Sequence, residues 1–367
     1  MSRLFSDKPL SEPALSSTRS INPVNALHIV IINFNSGEHL LNCLNSVAES
    51  ISTLSATLDV MVTVIDNAST DNSAKEAASK FGARQRFNFH LLPTNLGFGG
   101  GINKALEADN SAAALILNPD VKISADCIFK LIEALDNCDN LGAVAPLLRD
   151  EAGKIDERYL PRRFPTLGST IAELFYLHRL FPANPWTASY LGKDDYCFSK
   201  YFREALFPEA SKVCLSKNPF LVEQPAAACL MVRAAAFKAI SGFDERYWPA
   251  WFEDVDFSKR LLESNWLSAF LASARAIHAG GHSLKFITNA QFAHIWYGNM
   301  ARYWRKHASR RQYSVFASVL RLAILLRSGV NLLWGLWQFA TGRRGASRRA
   351  LNLAKALLRR AISPFSQ

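Results

Sequence analysis

The chain lacks the cysteine chemistry that would staple a small fold or bind a soft metal. Its six cysteines form no C-x-x-C pair and cluster with no histidine, so zinc-ribbon and dithiol redox sites are excluded. Buried thiols in a reducing compartment are the simplest account. Also missing is a charged start followed by an apolar segment: residues 1–26, rich in Ser, Pro and Asn, read as a disordered leader and not as a secretory signal. No uninterrupted apolar stretch reaches the roughly 20 residues that a membrane-spanning helix needs, because Arg321 and Arg327 divide the longest one. Acid is absent from the end of the chain. Between Ala301 and Gln367 twelve Arg and two Lys face no Asp or Glu, so this tail carries +14 in a chain of formal net charge +11, and the remainder sums to −3. A near-neutral body excludes a basic groove for nucleic acid. The cationic tail, with Trp334, Trp337 and many leucines, suits amphipathic helices lying on an anionic membrane surface; a helical cap on the body or a homo-oligomer contact is the alternative.

What the chain does have is enough apolar content for a sizeable core, 49% of 367 residues, which fits one large domain with an appendage. Leu27–Ile32 and Val60–Ile65 are near-continuous β-branched runs, the pattern of parallel strands buried on both faces. Between them Leu40, Leu41, Leu44 and Val47 recur at helical spacing. The second run stops at a polar stretch from Asp66 to Ser73, a loop leading to a helix start capped by Ser, Thr or Asp. Phe89–Leu92 is a third strand and Ala112–Leu117 a fourth. Strand and helix in this alternation predict a doubly wound α/β sheet, in which ligands bind beyond the carboxyl ends of the strands.

Polar residues gather at those ends: Asn33, Asn35, Asp66, Asn67, Asn95 and Asp120. Glycines between Asn95 and Asn103 invite a dinucleotide reading, but G-x-G-x-x-G fails at Ile102 and follows the third strand, which excludes a nicotinamide site. The stretch reads as a loop whose glycines let backbone approach a nucleotide or pack tightly over one. Asn118-Pro119-Asp120 either opens an ordinary turn or delivers a carboxylate to the sheet edge, where one well-placed Asp suffices for a hard cation that also binds phosphate. From about 150 to 222 the pattern is irregular, as of loops and short helices inserted into the sheet, with Arg162 or Arg163 available to a phosphate or to solvent. Order returns at Val222–Arg233. Glu253-Asp254-Val255-Asp256 then opens a helix, where carboxylates favour the dipole.

In order and spacing, Asn33-Phe34-Asn35, Val64–Asp71, Asn95–Asn103 and Leu117–Asp120, followed by Gly242-Phe243-Asp244-Glu245 and Glu253-Asp254, resemble the family 2 glycosyltransferases of GT-A fold, and within them the bacterial rhamnosyltransferase branch. The resemblance covers residues 27–290. It implies a nucleotide-diphospho-sugar transferase with a Rossmann-like mixed sheet, an acceptor- and donor-covering insert at 150–222 and a helical extension over 291–367. Asp66 and Asn67 fall where such enzymes hold base and ribose, Asn67 replacing a frequent second acid; an amide still offers an acceptor and a donor to a pyrimidine. The nucleotide-sugar role extends by position to Asn33, Asn35, Asn95, Gly97, Asn103 and Asn118. Asp120 matches the metal-binding Asp of the D-x-D element, whose first Asp is Asn118 here. Alanines 226–228 stand where the family usually has Gly-Ala.

By the same match Asp254 is the general base and Glu253 orients acceptor or base, while Asp256 supports the helix. His278, ending the apolar strand Ala274–Ile277, is a second ligand for Mg²⁺ or Mn²⁺, or else a packed core histidine, and His282 is placed to touch diphosphate. The function implied is inverting transfer of L-rhamnose from dTDP-L-rhamnose to a lipid-linked or growing cell-surface glycan, by an enzyme peripheral to the cytoplasmic face of the inner membrane. A UDP-sugar donor, or a non-catalytic glycan- or nucleotide-binding member of the fold, is the alternative.

Overall fold

The computed structural model describes residues 22–181, 185–191, 219–280 and 287–362. Expectations for the leader before Asn22, for most of the aromatic segment Phe181–Phe207, for Cys197 and Cys214, and for His282 lie outside the described residues. The strands are β1 (Ala26–Asn33), β2 (Asp59–Asp66), β3 (Phe87–Leu91), β4 (Ala113–Leu117), β5 (Val121–Ile123), β6 (Leu141–Arg149), β7 (Phe220–Val222), β8 (Cys229–Arg233) and β9 (Leu267–His278). Helices of two turns or more are α1 (His39–Ser52), α2 (Ser73–Phe81), α3 (Gly97–Leu106), α4 (Cys127–Asp136), α5 (Leu167–Leu174), α6 (Glu253–Glu263), α7 (Asn289–His307), α8 (Arg310–Ala340) and α9 (Arg344–Ile362). By its internal contacts the chain divides into two compact units, one of Met1–Phe164, Ser189–Arg246 and Glu253–Ser283, the other of Pro165–Ala188, Tyr247–Phe252 and Leu284–Gln367.

The first unit is built on one mixed sheet in the order β3-β2-β1-β4-β8-β6-β9-β5, with β7 alongside β9. β1 to β4 are parallel, as the continuous apolar runs of β1, β2 and β4 require, with the more exposed β3 at the edge; β8 then enters antiparallel between β4 and β6. Both faces of the sheet are covered. Leu27, Ile29 and Ile31 meet Leu40, Leu44 and Val47 of α1 on one face, while Val30 and Ile32 meet Ile102 and Leu106 of α3 on the other. Period-two alternation across a twice-covered strand leaves no polar side, which explains the unbroken hydrophobic sequence. Cys43, Cys127, Cys138 and Cys229 are free and buried.

One local expectation changes and one is met. The glycine-rich stretch is not a loop but the helix α3, and its glycines serve close packing: a Cβ at Gly99 would lie 2.9 Å from the Phe243 Cβ, and one at Gly101 3.0 Å from the Ile32 Cδ1. The start of α2 is capped from one residue earlier than its N-cap Asn72, through Asp71, whose Oδ1 accepts from Ser73 N–H at 3.1 Å.

The second unit is helical. α7 and α8 each open with a capping box, Thr288 with Gln291 and Ser309 with Gln312. Arg321 and Arg327 interrupt the apolar stretch but not the helix, since arginine is a good helix former; Arg327 donates to the Leu174 carbonyl at 2.7 Å and stacks on Tyr176. By length and composition alone α8 is the one helix among the described residues apolar enough to cross a membrane, with a third of the relevant window buried.

Candidate active site

Asp120 and His278 are neighbours because of strand register. The buried β4 ends at Leu117; Asn118 N–H bonds to the Ala228 carbonyl (2.8 Å) and Val121 N–H returns to the Asn118 carbonyl (3.2 Å), closing a turn over Pro119-Asp120. β5 then pairs antiparallel with β9, Val121 opposite His278, and Ala279 N–H donates to the Asp120 carbonyl at 3.0 Å. The result is an Asp120 Oδ1 to His278 Nε2 distance of 3.3 Å. The turn and the delivered carboxylate are thus one feature. His278 is 1% exposed, and neither ring nitrogen has a well-aligned hydrogen bond. Burial alone would raise the Asp120 carboxyl, but the imidazole beside it wins and holds it below the usual carboxylate range.

These residues fit a divalent cation in a limited way. Donor atoms 3.3 Å apart approach the roughly 3 Å between adjacent ligands of an octahedral ion with bonds near 2.1 Å. A buried imidazole without hydrogen bonds has a lone pair to offer. No group of three or more His, Cys, Asp or Glu suited to a metal exists among the described residues, so the protein would supply two ligands and leave the others to water and phosphate.

Behind His278 stands a segment that the sequence reading leaves as irregular insert. Asp156 Oδ2 lies 4.0 Å from His278 Nδ1, and the Tyr159 ring meets the imidazole edge-on at 4.3 Å. Asp156 caps the short turn Glu157–Tyr159 and takes a fork from Arg158, Nε at 2.8 Å and Nη2 at 2.7 Å. Arg162 donates to the Arg158 carbonyl at 3.0 Å. Tyr159 is half-buried beside this group. Its hydroxyl is pushed up to about 12 by burial first, then by the charge of Asp120, with Asp156 and Asp254 adding to it.

Glu253 and Asp254 open α6. Glu253 is buried with one carboxylate oxygen lacking a partner, and burial, then the neighbouring Asp254, pushes its carboxyl well up. Asp254 is also raised by burial, partly offset by the Val255 N–H at 2.8 Å and by Arg162. Asp256, fully buried, pairs with Arg260 at 2.7 Å, and the same guanidinium holds the Ile240 and Gly242 carbonyls. Its place is inside the helix support.

The remaining predicted residues have internal partners. Asn33 donates to Asp66 (2.6 Å) and Ser73 (2.9 Å); Asp66 also accepts from the Ser69 N–H (3.1 Å). Asn35 accepts from Thr70 N–H at 2.7 Å. Asn67 uses one donor and one acceptor of its amide on the next loop, donating to the Gly97 carbonyl at 2.9 Å and accepting from Leu96 N–H at 3.3 Å. Asn95 accepts from Gly97 N–H at 2.7 Å. Asn103 grips both backbone groups of Phe243 at 2.8 and 2.9 Å, far from it in sequence. Asn33, Asn35, Asp66 and Asn67 brace the loops at the carboxyl ends of β1 and β2, while Asn103 ties α3 to the segment at Phe243.

Comparison with known proteins adds to this geometry. The profile of Glycosyl transferase family 2 matches residues 28–195. N-acetylglucosaminyl-diphospho-decaprenol L-rhamnosyltransferase from two strains of Mycobacterium tuberculosis, CDC 1551 / Oshkosh and ATCC 25618 / H37Rv, is 31% identical over 272 residues, 70% of this chain and 77% of theirs. The chain belongs to glycosyltransferase family 2. It is a glycosyltransferase, and the likeness to the rhamnosyltransferase branch agrees with its motifs. Among solved structures, GalNAc-T7 with UDP, GalNAc and Mn²⁺ is a distant likeness at TM-score 0.48 and 11% identity, covering 70% of this chain and 44% of that one. In this family 2 glycosyltransferase, Asp156, Arg158 and Tyr159 escape sequence reading because their importance depends on β9, more than a hundred residues later. The one local signal was an Asp two residues before an Arg at a turn.

Proposed function

We propose that this glycosyltransferase moves L-rhamnose from dTDP-L-rhamnose onto a lipid-linked or growing cell-surface glycan, with inversion at the anomeric carbon. The observation that carries the reading is the strand register that sets Asp120, at the carboxyl end of β4, 3.3 Å from the buried His278. The name of the Mycobacterium tuberculosis relatives is the lead for sugar and acceptor class. In this reading Asp254 takes the proton of the acceptor hydroxyl as that oxygen attacks the anomeric carbon; the bond from that carbon to the diphosphate breaks, and the diphosphate leaves with its nucleotide. A carboxyl raised by burial is a stronger base than a surface aspartate. Glu253 stays protonated further up the pH scale and orients the acceptor or the base. Asp120 and His278 would hold Mg²⁺ or Mn²⁺, which supplies positive charge against the diphosphate. Asn33, Asn35, Asp66, Asn67, Asn95, Gly97, Asn103 and Asn118 act through the loops they brace, which receive the nucleotide sugar. The setting is the cytoplasmic face of the inner membrane, where a lipid-linked acceptor is presented.

The test offers purified protein dTDP-L-rhamnose, UDP-hexoses and UDP-galactofuranose with Mg²⁺ or Mn²⁺, and follows nucleoside diphosphate release. Turnover with dTDP-L-rhamnose, an inverted product by NMR and loss on chelation are expected. Asp254→Asn should keep nucleotide binding and lose about 10²-fold or more in transfer. Undiminished turnover in that variant rejects the mechanism.

A further inference from the structure

α8 buries Phe316, Leu320 and Ile324 in its first half, but from Leu326 onward it is amphipathic the wrong way round for a helix whose environment is water. Its buried positions include Ser328, Gly335 and Gln338, with the Ser328 hydroxyl donating to the Ala354 carbonyl at 2.8 Å and Gly335 so close to α9 that a Cβ would lie 2.8 Å from Leu351. Its exposed positions are Leu326, Val330 (66% exposed), Leu333 (69%), Trp334, Trp337 and Phe339 (64%), with further leucines between them. A contiguous apolar face of this kind marks an interaction surface. From Leu322 to Ala340 the only charged residue is Arg327, and it is held by the Leu174 carbonyl and the rings of Tyr176 and Tyr297. The face is therefore uncharged along its length, about 27 Å at 1.5 Å per residue.

Cations frame this face. Arg310, Arg311 and Arg321 are exposed before it and Arg343 and Arg344 after it, and the packed helix α9 exposes Arg348, Arg349, Lys355 and Arg359. Trp334 and Trp337 stack at 4.7 Å, with the Arg343 guanidinium 5.9 Å from the Trp337 ring centre. We propose that the α8 face from Leu322 to Phe339 beds into the headgroup and acyl boundary of an anionic phospholipid surface, with the flanking arginines on lipid phosphates. Charge selects this occupant over a second copy. A two-fold contact on this face would bring together two tails of +14 with no acid in either, whereas an anionic bilayer complements them. Charge also selects lying over crossing, since spanning would carry the exposed cations of α9 into hydrocarbon. The inference takes its membrane setting from the proposed function, but depends on neither donor nor acceptor.

The test mixes purified full-length protein with vesicles of phosphatidylcholine alone or with added phosphatidylglycerol, and reads co-sedimentation and tryptophan emission. Binding to the anionic vesicles with a blue shift, at least tenfold weaker on neutral ones and reduced by salt, is expected. Val330→Glu with Leu333→Glu should lower affinity tenfold or more at unchanged circular dichroism, and Arg343→Gln with Arg344→Gln severalfold, while donor turnover with a soluble acceptor stays at the wild-type level. The turnover arm separates failure of this inference from failure of the proposed reaction. Wild-type protein that stays in the supernatant overturns it. So do equal binding to neutral vesicles, glutamate variants that bind as well as wild type, and a dimer that the glutamate pair splits without any vesicle binding.

Discussion

Asn103, assigned to the nucleotide sugar by its motif, is in the structure a tie between α3 and the segment at Phe243. Its amide donates to the Phe243 carbonyl (2.8 Å) and to Glu245 (2.9 Å) and accepts from Phe243 N–H (2.9 Å). Asn103→Ala removes all three. The two backbone partners are partly buried and would be left short of a bond, at about 1 kcal/mol each, while the exposed Glu245 contact adds little. The expected loss is about 2 kcal/mol, a fall of about 4–8 °C in Tm for a domain of this size. Asn103→Asp should be worse than Ala despite its similar shape. It keeps the acceptor for Phe243 N–H but turns a carboxylate toward the Phe243 carbonyl and the Glu245 carboxylate. Differential scanning fluorimetry, with and without nucleotide, measures both. If Asn103→Ala leaves Tm within a degree of wild type and instead raises the KM for donor, the residue touches substrate and the reasoning fails.

Three further outcomes follow from the geometry. Arg162→Gln removes a charge that favours ionised Asp254, so its carboxyl rises further and the acid limb of the kcat/KM pH profile moves to higher pH; an unmoved limb, or one shifted down, contradicts the proximity. Arg260→Met strands the fully buried Asp256 and frees two carbonyls, costing about 3–5 kcal/mol by thermal or urea unfolding, and a loss under 1 kcal/mol would place Asp256 in water. Gly99→Ala gains about 1 kcal/mol in helix propensity but drives a methyl to 2.9 Å from the Phe243 Cβ, so a lower Tm is expected, and a higher one would show that the α3 packing yields.

The parallel half of the sheet was legible because its strands are buried on both faces, and such strands write themselves as unbroken Val, Ile and Leu. The sequence also brought Asp120 and His278 into view, through motif order. It misread Asn95–Asn103 as loop, since glycine signals a turn as readily as a helix pressed against a neighbour, and only the partners Phe243 and Ile32 decide between them. Asn67, placed with the base and ribose by its motif, also ties its amide to Gly97 and Leu96, a pairing no spacing rule exposes. Asp156, Arg158 and Tyr159 were hidden for the same reason: they matter through a strand that returns much later.

β5 lies at the edge of the sheet, with β9 as its sole strand neighbour in the sheet order, and β9 also borders β6 and β7. A ribosome that has released everything up to α6 has therefore made Asp120, Asp254 and the turn that Asn118 closes, but not the Ala279 N–H that bonds the Asp120 carbonyl or the strand that pairs with β5. Nascent or clipped chains ending short of His278 thus carry Asp120 without the imidazole that β9 sets 3.3 Å from it.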